Sequence, residues 1–142
     1  MSYATLAQLT ARFGERMLIG LTDRGIVAAD RIDSEVIVRA LADTDEMING
    51  YVAGQYALPF ATTPGLITDL ALTIAVYKLH TSSPDPKIEA DYKDALRMLR
   101  DVASGTLKLS AAGVVTADTG GSGARMTDRE RPLSADQMTG FI

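Results

Sequence analysis

A chain of 142 residues has room for one hydrophobic core, and not for a core plus a separate catalytic lobe. Its hydrophobic fraction of 46% and charged fraction of 23% exclude a wholly disordered chain, and the absence of cysteine excludes disulfides, thiolate chemistry and zinc sites that need sulfur ligands. A formal net charge of -4 argues against a protein whose main task is gripping phosphates, because nucleic-acid affinity rests on clustered Lys and Arg.

The opening Met1-Ser2-Tyr3-Ala4-Thr5 has no basic segment followed by an apolar run. No stretch approaches the roughly 20 apolar residues of a membrane span, so a soluble, unexported product is expected. Thr5-Leu6-Ala7-Gln8 has capping-box spacing and predicts a short helix with Leu6, Leu9 and Phe13 on its apolar face. Gly14 ends it, and Met17, Leu18 and Leu21 suit a second short helical turn before the loop at Thr22-Asp23-Arg24-Gly25. A long helix is expected over 34–56 with Asp33 as N-cap. Its apolar stripe is Ile37, Leu41, Ile48, Val52 and Tyr56, and Glu35, Arg39, Asp43, Glu46 and Asn49 fall on another face. Pro59 stops the chain from continuing helically.

Thr63-Pro64 predicts a cap followed by proline at the first helical position, opening a helix from Gly65 to Leu79 that is apolar on nearly every side and therefore central. Asp85-Pro86 repeats that start for a helix carrying Ile88, Tyr92, Leu96, Leu99 and Val102, with Gly105 as its stop. Beyond it, Leu107, Leu109, Val114 and Val115 have strand propensity, and a glycine hinge at Gly120, Gly121 and Gly123 precedes an end that mixes arginines with apolar residues. The expected fold is all-α: a bundle of about four main helices over 1–105, with an extended C-terminal arm over 106–142.

Several segments carry a family likeness. They are Tyr3-Ala4-Thr5-Leu6, Leu18 through Arg24, Val38 through Asp43, Ile48 through Pro59, and Tyr92 through Leu99. Together they resemble the Mu-like prophage proteins classed as a domain of unknown function, over essentially the whole chain. The most specific piece is the helix ending Gly50-Tyr51-x-x-x-x-Tyr56-x-Leu58-Pro59, a pattern similar to those of phage head-tail connector proteins. The resemblance implies a virion structural protein, made in the bacterial cytoplasm, that acts as an adaptor at the head-tail junction. Implied partners are the portal protein, neighbouring copies in a closed ring of about twelve subunits, and a downstream neck or tail-completion protein. DNA would pass through the lumen without specific binding. The arm would reach neighbours, with Arg125, Arg129, Arg131, Met138, Phe141 and Ile142 as its partner-binding residues. Neither a cofactor nor a membrane is implied, and none of the motifs is catalytic.

Sharper chemistry is available at four places, each beside a plainer reading. The loop holding Asp23, Asp30, Asp33 and Glu35 suggests calcium, but Arg24-Gly25 and then Ile26 through Ala29 break the alternation of oxygen ligands that a calcium loop needs. His80, the single histidine, lacks the serine and orienting carboxylate of a triad and suits a helix C-terminus electrostatically. Gly120-Gly121-Ser122-Gly123 is not followed by the Gly-Lys-Ser/Thr of a phosphate loop and reads as a linker. Tyr51, Tyr56, Tyr77 and Tyr92 fall among aliphatic residues, so core packing with hydroxyls near the rim is expected ahead of base stacking. The terminal arginines suit either a solvated tail or interfacial carboxylates. A short strand at Thr106 to Ser110, or the strand-forming Val114 and Val115, would gain most by pairing with an edge on another subunit. The ring's channel would be neutral to acidic, lined by Glu35, Asp43 and Glu46 or by the loop from Asp23 to Asp33. A helical DNA-binding regulator and a small helical enzyme stay as alternatives from other classes. The acidic balance counts against the first, and the lack of clustered catalytic side chains against the second.

Overall fold

The computed structural model describes residues 2–110 and 114–117, which form five helices: α1 (Leu6–Phe13), α2 (Glu15–Thr22), α3 (Ser34–Val52), α4 (Gly65–Leu79) and α5 (Pro86–Ser104). The all-α expectation holds among them. The helix ends follow local chemistry. The Thr5 hydroxyl accepts from the Gln8 amide while the Gln8 side chain receives the Thr5 N-H, completing the capping box. Gly14, at φ 89°, ends α1 and begins α2 within one residue, a backbone angle that a side chain would strain. Asp33 and Asp85 cap α3 and α5 through their carboxylates. Gly105, at φ 79°, closes α5 in the left-handed region.

Two ends differ from the sequence expectation. α4 is capped by Pro64 without a side-chain hydrogen bond, and Thr63 does not serve. The first intrahelical bond runs from the Thr68 N-H to the Pro64 carbonyl at 3.2 Å, so the proline is itself the cap while the helix keeps the expected span from Gly65 to Leu79. α3 ends at Val52 and not near Tyr56. Gly54 weakens helix propagation, and the extended residues after it find other partners, described below.

The core is built around α4, which packs against α3, α5 and α1 and buries Ile67, Leu70, Ala71, Ile74, Ala75 and Leu79. α3 contributes Ile37, Leu41, Ile48 and Val52, α5 contributes Ala95, Leu99 and Val102, and the short helices add Leu9 and Leu18. α4 is apolar over most of its surface because it is enclosed over most of it, with Asp69 exposed, whereas α3 and α5 keep a broad wet face each. Tyr77 and Tyr92 stack face to face at 3.8 Å and 2° between α4 and α5.

After α5 the chain folds back over its own bundle. The Leu107 N-H donates to the Asp101 carbonyl at 3.0 Å, and Leu109 is buried in the core. The Leu109 N-H donates to the Tyr56 hydroxyl at 3.0 Å, so that hydroxyl lies inside and not at the rim. Tyr56 and Thr116 form an antiparallel bridge, with the Ala57 N-H donating to the Val115 carbonyl and the Ala117 N-H to the Gln55 carbonyl, both at 2.9 Å. Of the strand-forming residues, Val115 thus pairs with the extended stretch beyond α3 of the same chain, whereas Leu107 bonds to α5 and Leu109 to the Tyr56 hydroxyl. That stretch has left the helix and offers unpaired backbone groups close to where α5 ends, so the nearest edge is an internal one.

Candidate assembly surface

Among the described residues the most exposed large apolar groups lie in the loop between α2 and α3, and buried Thr22 holds the loop's base. Its hydroxyl donates to the Leu18 carbonyl at 2.8 Å and accepts the Asp33 N-H at 3.0 Å, joining the last turn of α2 to the cap of α3. The Asp23 carboxylate accepts the Ala29 N-H at 3.0 Å, and the Arg24 guanidinium donates to the Leu79 carbonyl at 3.1 Å at the end of α4. Asp30 takes φ 51°, a left-handed angle that Asp tolerates better than most residues and that turns the chain back toward α3. With its base pinned, the loop projects its tip: Ile26 is 106% exposed and Val27 81%. Single exposed apolar residues are ordinary, but an adjacent aliphatic pair carried at full exposure on a tied loop makes this a candidate contact surface.

Two of the four loop carboxylates are engaged with backbone, Asp23 accepting the Ala29 N-H and Asp33 the amides of Glu35 and Val36. Among the described residues no group of three metal-ligating side chains comes together. Under the loop lies a hollow of about 630 Å³ lined by Thr22, Asp23, Arg24, Arg31, Asp33 and Glu35.

Next to it runs the outer face of α3. Glu35, Val38, Arg39, Ala42, Asp43 and Glu46 are all exposed there, opposite the buried Ile37, Leu41, Ile48 and Val52. Val38 breaks the polar character of this face at 64% exposure, and with Ala42, Ser34, Glu35 and Arg39 it lines a shallow depression of about 370 Å³. At the helical angle of α3, Val38 and Ala42 fall on one edge, Arg39 and Asp43 on the other, and Glu35 and Glu46 between them.

His80 ends α4 with its Nδ1 at 2.8 Å from the Val76 carbonyl, a hydrogen bond within its own helix. Tyr3 sits in the core against Phe60, its N-H donating to Asp45 at 3.0 Å and its hydroxyl to Asn49. Burial, and after it the Asp45 and Glu46 carboxylates, hold the Tyr3 phenol above its usual range. Burial likewise raises Tyr92, with smaller contributions from Tyr77 and Tyr51. Arg125, Arg129, Arg131, Met138, Phe141 and Ile142, together with Gly120 to Gly123, lie outside the described residues.

The structure adds Ile26, Val27 and Val38 to the residues singled out from sequence. Their signal was an aliphatic pair inside a charged loop and a valine on the polar side of a helix. Among the described residues no helix is long and apolar enough to cross a membrane.

Comparison with known proteins gives the family. The chain is 31% identical to "Gene product J" of Escherichia phage Mu over 142 residues, covering 100% of both chains. It is 27% identical over 140 residues to the Mu-like prophage FluMu protein gp36 of Haemophilus influenzae, covering 99% of this chain and 98% of that one. The family described as Bacteriophage Mu, Gp36 matches residues 3–128, and the chain belongs to that family of Mu-like phage proteins.

Proposed function

We propose that this phage protein is a structural adaptor at the head-tail junction, assembling as a ring beneath the portal through which DNA passes, and that it acts by assembly and not as an enzyme. The observation that carries the proposal is the fully exposed Ile26-Val27 pair on a loop whose base is tied to α2, α3 and α4. A chain that only had to stay dissolved gains nothing from holding two aliphatic side chains in water, whereas one that closes against a neighbour does.

Surface charge supports the DNA conduit. Glu35, Asp43 and Glu46 outnumber Arg39 on the open face of α3, and such a surface lets phosphate slide where a basic lining would hold it. The portal and a downstream neck or tail-completion protein are the partners proposed above and below the ring. The terminal segment, through Arg125, Arg129, Arg131, Met138, Phe141 and Ile142, is the proposed portal contact, arginine being suited to interfacial carboxylates.

The test is a prophage carrying a deletion of this gene. Electron micrographs of the induced lysate should show filled heads and free tails that are not joined. Joined, infectious particles at normal yield would overturn the proposal.

A further inference from the structure

We infer that the stacked Tyr77–Tyr92 pair is a site of oxidative modification, at which a one-electron oxidant joins the two rings into dityrosine and staples α4 to α5. The rings are parallel to within 2°, with centroids 3.8 Å apart. At that separation the ring carbons are in van der Waals contact, and the ortho positions need only a rotation of the rings to bond. Both side chains are half-buried, one on each helix, so a small oxidant can reach them while the packing of α4 against α5 holds them in register.

The rest of the chain directs oxidation to this pair. Cysteine and tryptophan are absent, so a tyrosyl radical has no thiol or indole to pass to. Of the five tyrosines, Tyr3 and Tyr56 are buried against Phe60, a ring with no hydroxyl. Tyr51 is half-buried and contributes, after burial and Tyr77, to raising the Tyr92 phenol above its usual range, so it neighbours the pair. Among the described residues, however, only Tyr77 and Tyr92 bring two phenol rings into contact.

In the coupling, each ring gives one electron to the oxidant and its phenolic proton to water. The two radicals join through a carbon–carbon bond between ortho carbons, and the hydrogens on those carbons move to the oxygens and restore both phenols. Two equivalents of oxidant are reduced, and the product is lighter by two hydrogen atoms. The new bond closes the chain between positions 77 and 92 and restricts the unfolded state in the way a disulfide does.

The test uses the full chain, purified and dilute, with tris(bipyridine)ruthenium and persulfate under a visible flash as the one-electron oxidant. Peptide mass spectrometry should find the 77-to-92 link, within one chain, as the main dityrosine. Its yield should be at least about tenfold above that from the same protein in urea, because only the folded state orients the rings. Tyr77→Phe and Tyr92→Phe keep the ring stack and should each abolish the link, while Tyr51→Phe leaves it. The linked protein should melt about 5 to 10 °C higher than the unlinked one. A main link through another tyrosine or between chains, equal yields from folded and urea-unfolded protein, or a linked protein that melts no higher overturns the inference.

Discussion

Removing one oxygen atom, with Tyr56→Phe, tests how the chain beyond α5 is fastened to the bundle. The Tyr56 ring packs near Phe60 at 6.2 Å between centroids and is 7% exposed, so phenylalanine fills the same space and leaves no cavity at the ring. What disappears is the acceptor for the Leu109 N-H, a 3.0 Å bond between buried groups. No other acceptor for that amide is described, and an orphaned buried donor costs about 1 to 3 kcal/mol, which for a domain of this size lowers the melting temperature by about 3 to 10 °C. The backbone pairing of Gln55 and Ala57 with Ala117 and Val115 does not use the hydroxyl, so the loss should be local and the helical content unchanged. Urea unfolding followed by circular dichroism gives the stability, and hydrogen exchange gives the site. The Leu109 amide should exchange markedly faster in the variant while the α4 amides slow or quicken only with global stability. An unchanged midpoint together with an unchanged Leu109 exchange rate would refute the assignment of this hydrogen bond as the clasp.

Three further outcomes are expected. Gly105→Ala should cost about 1 kcal/mol in urea unfolding, through backbone strain alone: φ is 79° and an added Cβ would meet Gln55 at an ordinary 3.7 Å. Because burial and then Asp45 and Glu46 raise the Tyr3 pKa above 10.0, the folded state keeps a proton that the unfolded state releases. That contribution is full below about pH 10 and is lost as pH rises through the folded-state value, so stability measured from about pH 9 to 11 should fall more steeply in the wild type than in Tyr3→Phe. Deleting residues 125–142 should leave thermal unfolding nearly unchanged, because the described core ends with Leu109 and the pairing at 114–117, while abolishing incorporation into particles, scored by immunoblot of purified virions.

Most of the bundle is legible in the sequence because helix signals are local. Thr5 with Gln8, Asp33 before Ser34, Asp85 before Pro86 and Gly105 each announce an end through contacts made within a few residues. The all-round apolarity of Gly65 to Leu79 announces the central helix. Tertiary pairing is what local signals leave out. Nothing within a turn of Tyr56 says that Thr116 will bridge to it, or that Leu109 will reach its hydroxyl across 53 positions of sequence, so α3 reads too long and the strand-forming residues read as unpartnered. Thr63-Pro64 misleads in a smaller way, since a hydroxyl before proline is a frequent cap, but here the proline itself takes the cap position. The exposed loop tip is half visible. Ile26 and Val27 stand out as aliphatic in a charged loop, but only the bonds from Thr22, Asp23 and Arg24 reveal that the loop is tied down with that pair outward.

Copy number in the particle tests the central claim most directly. Absolute quantitation by mass spectrometry of purified virions, with the portal protein as internal reference, should return about one copy of this chain per portal subunit, or about twelve per particle, as a closed ring under a cyclic portal requires. Absence from the virion, one or two copies, or a number in the hundreds like that of a shell or tail-tube subunit would contradict it.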